Sequence, residues 1–353
     1  MTNIMNIEEY IRSYREILEP YIDDYLAALA ARQATRSGQE VADLYEVFRE
    51  AREGGKCIRG SLVKLGYEIA TGRPADHSLL PASAAFEIFQ TAVLCHDDII
   101  DKSPLRRGKE SIWQAIVNRS TLHYGISQAI SIGDAGFFLA NRLIAGSSFG
   151  AEAKVEAMKV FLDVQLSTLD GQMLDVYLSQ RRDYSDETGI LNVASLKTAW
   201  YTVVGPLQLG AVLGRASPEP LDAMRRYGLS LGIAFQLRDD ILGIEAEAMK
   251  TGKSNTSDIA EGKATLLIHH AMKQATPDQL TALRRLYGRE NISERDRVAV
   301  RDIFDATGAF AEVARRAEAY LTEAGNAVED ITKDAEHVRL LSQLGNMMFQ
   351  RKI

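Results

Sequence analysis

The chain has 353 residues, 46% of them hydrophobic, and a formal net charge of -7, which is enough apolar material for a large buried core. Mild acidity without a long basic tract gives no support for nucleic-acid binding. The two cysteines, Cys57 and Cys95, lie far from any CxxC spacing, so neither a disulfide framework nor a zinc knuckle is expected, and a reducing, cytoplasmic setting is. Charges run through "MTNIMNIEEYIRSYREILEPY", which reads as neither a signal peptide nor an anchor. No window reaches the ~18 uninterrupted apolar residues of a spanning helix, so no membrane insertion is expected. In chain order, helical spacing predicts helices over 7–33, 41–52, 82–101, 111–118, 122–146, 151–178, 193–214, 220–244, 263–274, 296–306, 309–326 and 333–350. "TPDQLTALRRLYG" adds one more, with Thr276 as N-cap, Pro277 at the first helical position and Gly288 past the end. Ser293 and Asp296 open the next helix as a capping box. Loops are expected near 71–78, 102–110, 180–190, 215–219 and 246–262, with essentially no β pattern. No linker and no fixed repeat interrupts the chain, so an all-α bundle of one domain, 1–353, is the expectation.

Two acidic stretches stand out. In "AVLCHDDIIDKSPLRRGK" Asp97 and Asp101 are four apart on one helical face, Asp98 flanks them, and Gln90 and Leu94 extend the stripe backwards. In "GIAFQLRDDILG" Asp239 and Asp240 again end an apolar run, one turn after Phe235 and Gln236. Carboxylates this close repel unless cations neutralise them. Hard oxygen donors suit Mg²⁺, which is commonly held by one or two carboxylates plus substrate phosphates. Neither stretch has the alternating acids of an EF-hand. One such cluster alone is as well explained by a solvated helix end; two of them, on helices facing across a bundle, would grip a polyphosphate through bridging metal.

Basic residues accompany them. "GGKCIRG" carries Lys56 and Arg59, "RRG" carries Arg106 and Arg107, Lys197 and Thr198 lie inside an apolar helix, and Lys253 and Lys263 flank "TGKSNTSDIAEGK". A lone lysine in an apolar helix is costly unless it meets an anion. The set describes a site for two phosphate-bearing molecules, one on metal and one directly on Arg and Lys. "TGKS" is not a P-loop, because Glu247 stands where the first glycine is required and no strand precedes it.

In order along the chain, "GGK..R", the first Asp motif, "RRG", "GQMLD" (171–175), "KT" (197–198), "FQ" (235–236) and the second Asp motif resemble the trans-isoprenyl diphosphate synthases, or polyprenyl synthetases, from about residue 50 onward. The resemblance implies an all-α isoprenoid-synthase fold around a deep apolar cavity, a homodimer, and three Mg²⁺ ions per site. It implies that Asp97 and Asp101 hold metal on an allylic diphosphate with Asp98 supporting, and that Asp239, beside Asp240, holds a third ion. Arg106, Lys197, Gln236, Lys253 and Lys263, with Thr198, would bind that diphosphate; Lys56, Arg59, Gln90 and Arg107 would bind that of isopentenyl diphosphate. Ionisation, condensation and elimination would follow.

Three departures from the family pattern are visible: Gly243 for a common last Asp, Gln90 for a common His, and Cys57 and Gly60 for a basic residue and a proline. A terpene cyclase would replace "RDDILG" with an Asn/Ser/Glu motif, and a non-catalytic subunit would lose its acidic motifs, so a synthase is favoured. Val93, one turn beneath Asp97, and Ala92 beside it are expected at the cavity floor. Their small size leaves room beyond a C15 product and points to geranylgeranyl diphosphate, with farnesyl or longer products as the alternative.

Overall fold

A computed structural model describes residues 5–245, 257–289 and 291–350. Among them the chain is helical almost throughout. Helices α1 to α6 span Ile7–Ser37, Gln39–Ala51, Ile58–Thr71, Leu80–Ile100, Ile112–Val117 and Leu122–Ala145; α7 is Ala151–Arg181 and α8 Glu187–Val193. A π-helical segment, Ala194–Val204, leads into α9 (Gly205–Leu213) and α10 (Pro218–Glu245). Helices α11 to α16 follow at Ser257–Glu261, Leu266–Gln274, Pro277–Leu286, Glu294–Ala306, Ala309–Ile331 and Ala335–Phe349.

The caps explain many of these boundaries. Thr276 and Gln279 form a reciprocal capping box at α13, and Ser293 and Asp296 do the same at α14, each satisfying amides that the first turn cannot pair internally. Gly288, past the end of α13, has φ 79°, a conformation that costs glycine nothing. The structure corrects the expected outline in four places. Residues 58–71 form a full helix, and 187–193 are helical where a loop was expected. The expected helix 193–214 is interrupted by the π segment. The loop at 102–110 closes as a two-stranded ribbon, β1 (Leu105–Arg106) on β2 (Lys109–Glu110).

The chain forms two compact units, one of Met1–Leu162 with Gly205–Leu221 and one of Asp163–Val204 with Asp222–Ile353. In the first, α4 is the central helix. Residues 77–100 are long and apolar enough to cross a membrane by composition, but 72% of that stretch's most apolar window is buried inside the protein. Phe86 and Phe89 pack edge-on against Phe161, and α6 approaches closely because it presents glycine. A Cβ on Gly136 would lie 2.8 Å from both Ala92 Cβ and Phe48. In the second unit the core gathers Tyr184, Leu237, Ile241, Ile268, Tyr287, Val300 and Phe304.

Candidate active site

In the first unit, α4 runs out of apolar residues at Asp97 and Asp98, which are 8% and 3% exposed. Asp101 caps the helix, its amide donating to the Asp97 carbonyl at 2.8 Å. Trp113 Nε1 donates to the carbonyls of Asp98 and Ser103 at 3.0 and 2.9 Å, holding the turn beyond the helix. The ribbon then reverses the chain. Arg107 at φ 54° and Gly108 at φ 74° give the positive-φ pair that suits a two-residue hairpin. A left-handed arginine is uncommon, and such conformations concentrate at sites.

That reversal returns Arg106 to the acids. Its Nη2 donates to Asp97 Oδ2 at 3.0 Å and also to Asp98 Oδ1, which takes a further bond from Nε at 2.9 Å. The two carboxylates therefore converge on one cation, and the repulsion between them is relieved within the unit. Arg107 lines a cavity of about 980 Å³ together with Gly55, Gln90, Asp98 and Arg106. A Cβ on Gly55 would lie 3.5 Å from Arg107 Nη1, so the "GGK" and "RRG" loops meet. Lys56 is exposed beside this cavity and Arg59 starts α3; neither belongs to its lining.

Both residues of the third departure acquire reasons here. Gly60 N–H donates to the buried Glu87 Oε1 at 2.8 Å, and a Cβ at 60 would lie 2.4 Å from Leu18 Cδ2. A proline would lose that bond and collide. Cys57 has φ 52° and is 2% exposed; burial, with Glu87 nearby, raises its thiol well above the ordinary range. It is an inert packing group. Ala92, expected at a cavity floor, is instead fully buried against Gly136 and Phe48, while Val93 keeps partial exposure.

In the second unit, glycines let two helices close on the π segment. A Cβ on Gly171 of α7 would lie 2.3 Å from the Lys197 backbone nitrogen, and one on Gly232 of α10 would lie 2.3 Å from Ala199. Interrupted helices of this kind recur at functional sites. Lys197 Nζ donates to Asp175 Oδ2 at 2.6 Å, so "GQMLD" and "KT" meet in an ion pair. Thr198 Oγ1 donates to Gln236 Oε1 and Gln236 Nε2 donates to Asp240 Oδ1, both at 2.7 Å. Burial, with Asp258 and Asp239 adding repulsion against Gln236 and Lys263, pushes the Asp240 carboxyl up to about 8. Asp239 is exposed.

Lys263 Nζ lies 3.3 Å from Asp258 and 3.2 Å from Glu261. A Cβ on Gly243 would lie 3.0 Å from Asp258 Oδ2, so a carboxylate from α11 stands beside the position that lacks one. Lys253 lies outside the described residues. Sequence reasoning missed Asp258 and gave Asp175 no role of its own. Each was legible only as an acid beside a cited motif, "SDIAEGK" and "GQMLD". Among the described residues no three acids, histidines or cysteines close into a metal cage.

In each unit of this all-α chain paired aspartates close an apolar helix, with Arg106 bonded to the first pair and Lys263 acting electrostatically on Asp240 of the second. The family profile described as polyprenyl synthetase matches residues 41–304. A short chain isoprenyl diphosphate synthase from Methanothermobacter thermautotrophicus is 30% identical over 77% of this chain and 77% of its own length. A geranylfarnesyl diphosphate synthase from Aeropyrum pernix is 31% identical over 85% of this chain and 91% of its own. A crystal structure of geranylgeranyl pyrophosphate synthase from Corynebacterium glutamicum, complexed with isoprenyl diphosphate and magnesium, superposes with a TM-score of 0.91 at 30% identity, covering 99% of this chain and all of that one. The chain belongs to the polyprenyl synthetase family. It is a prenyltransferase with the all-α isoprenoid-synthase fold.

Proposed function

We propose that the chain condenses isopentenyl diphosphate with dimethylallyl, geranyl and farnesyl diphosphates to give all-trans geranylgeranyl diphosphate. The observation that carries this reading is the convergence of Asp97 and Asp98 on Arg106 beside the cavity into which Arg107 turns. One carboxylate pair and one cationic pocket serve two diphosphates. A guanidinium already occupies the position between the carboxylates where a cation is required, and all donors are hard oxygens, so the residues fit Mg²⁺. Asp97, Asp98 and Asp101, with Asp239 and Asp240, would hold it, three ions in all. When bound it supplies positive charge against the departing diphosphate.

The chain's own groups do the rest. Arg106, Lys197, Thr198, Gln236, Lys253 and Lys263 receive the allylic diphosphate and stabilise charge as its C–O bond breaks. Lys56, Arg59, Gln90 and Arg107 orient isopentenyl diphosphate so that its double bond attacks the allylic carbon. A proton then leaves to the released diphosphate. Arg106 and Lys197, held by Asp97, Asp98 and Asp175 in this state, are positioned to exchange a carboxylate partner for a phosphate.

The reading takes the chain as one functional domain, cytoplasmic and homodimeric. A dimer is supported by exposed apolar residues on α6, where Leu122 and Phe138 are 58% and 74% exposed, and on α7, where Leu166 and Met173 are 61% and 63% exposed. The similarity to the Aeropyrum pernix protein favours a C25 product as the second reading. Purified protein with Mg²⁺ and radiolabelled substrates, followed by chromatography of dephosphorylated products, tests the proposal. Geranylgeraniol supports it, geranylfarnesol selects the second reading, and absence of any condensation rejects both.

A further inference from the structure

The wall of the first unit's cavity contains a buried cation outside the family's recognised motifs. Arg52, in the turn after α2, lines the cavity and is 5% exposed. Its side chain makes no hydrogen bond to any described residue, and its buried Nε has no acceptor among them. Among the described residues the one ion pair it forms is at the limit of contact, Nη2 to Asp23 Oδ1 at 4.0 Å. That carboxylate is already taken by Arg49 Nη1, at 3.0 and 3.1 Å. A guanidinium nine-tenths buried, with its Nε shielded from water and without an acceptor among the described residues, is costly, and an unsatisfied polar group of this kind calls for a partner.

Two other cations of the wall are committed to carboxylates. Arg106 holds Asp97 and Asp98, and Lys109 Nζ holds Glu53 at 2.9 Å. Arg52 also lies close enough to Cys57 to act on its thiol electrostatically. Cys57 lines the same wall and is the position where the resembling sequences commonly carry a basic residue. Five residues upstream, the chain brings a guanidinium to the wall that Cys57 leaves neutral.

We propose that Arg52 is a binding residue for the diphosphate of isopentenyl diphosphate, supplying the charge that Cys57 does not. This rests on the assignment of the cavity to that substrate. A planar fork whose Nε lacks an acceptor among the described residues is suited to a phosphate oxygen pair. Removing it weakens capture of this substrate without touching the allylic one.

The test is steady-state kinetics of the full-length enzyme with both substrates varied, on Arg52→Gln, Arg52→Lys and the control Arg59→Ala, with melting curves for each. The expected result is a rise of about tenfold or more in the KM for isopentenyl diphosphate in Arg52→Gln. The allylic KM and kcat stay within about twofold, and Arg52→Lys recovers part of the loss. If Arg59→Ala raises that KM and Arg52→Gln lowers only the melting temperature, Arg52 is a structural residue and the inference is overturned. If Arg59→Ala also leaves the KM unchanged, the cavity's assignment to isopentenyl diphosphate fails and takes this inference with it. Isothermal titration of isopentenyl diphosphate into Arg52→Gln reads the same loss without catalysis; unchanged affinity there also overturns it.

Discussion

The same sequence signature, paired aspartates closing an apolar helix, meets two different electrostatic solutions in the two units. At the end of α4 the pair is neutralised by a cation, Arg106, bound to both carboxylates. At the end of α10 Lys197 holds Asp175, and Lys263, which holds Asp258 and Glu261, also acts on Asp240 electrostatically. Asp240 instead accepts an uncharged amide bond from Gln236, and burial raises its carboxyl. In one cluster a resident guanidinium bonds both carboxylates; in the other an amide bonds Asp240, whose burial favours its protonated form. The lesson is that an acidic motif fixes which atoms are available for a metal, while the neighbouring chain decides what holds their charge beforehand.

Removing an acid from either cluster separates the two most sharply. Asp97→Ala and Asp239→Ala should each lower turnover by orders of magnitude, since on the proposed reading each removes a ligand of the magnesium that would act on leaving-group charge. Asp97→Ala leaves Arg106 with one carboxylate, so its melting temperature should change little. Near-normal turnover in either variant would remove that cluster from the site.

A step below this, the two diphosphate assignments predict opposite kinetics. Arg107→Ala should raise the KM for isopentenyl diphosphate by roughly the 2–3 kcal/mol of a charge-assisted contact. Lys197→Ala should instead impair use of the allylic substrate. The reverse pattern in steady-state kinetics would exchange the roles of the two regions.

Smaller effects are expected on α4 itself. Val93→Phe enters a partly open position and should shorten the product while sparing the first condensation, which chromatography of dephosphorylated products reads. Ala92→Phe drives a ring into Gly136 and Phe48 and should act on stability, costing ~1–3 kcal/mol by denaturant titration. A shortened product from Ala92→Phe with an unchanged unfolding midpoint would show that the wall between α4 and α6 yields into the tail pocket. Gly60→Pro should lower the melting temperature through loss of the bond to Glu87 and contact with Leu18; an unchanged melting temperature would refute that account of the departure.

What was legible in the sequence follows from how local each signal is. Thr276 with Gln279 and Ser293 with Asp296 announce their helices because a cap is satisfied within four residues. Helix α3 carries no such signal: its N-cap is Cys57 in a left-handed conformation, with no side-chain bond. The ribbon at 105–110 was hidden because arginine holds the first turn position, where Asn or Asp is the usual sign. Within the site, residue types and spacing pointed to Asp97, Asp98, Arg106 and Lys197, but not to their partners in this state. Arg106 with Asp98 and Lys197 with Asp175 are separated by 8 and 22 residues, and such pairings depend on the fold. Arg52 was invisible for a related reason: one arginine beside a glycine turn has no periodicity, and the lack of an Nε acceptor among the described residues is a property of the folded chain.

The central claim is that the carboxylates of α4 and α10 act by holding magnesium against a departing diphosphate. Its most direct test is the rate of condensation of isopentenyl and farnesyl diphosphates by protein stripped with EDTA and then titrated with Mg²⁺. The account predicts no product from the stripped protein and full recovery on titration. Condensation that persists undiminished after exhaustive chelation would contradict it.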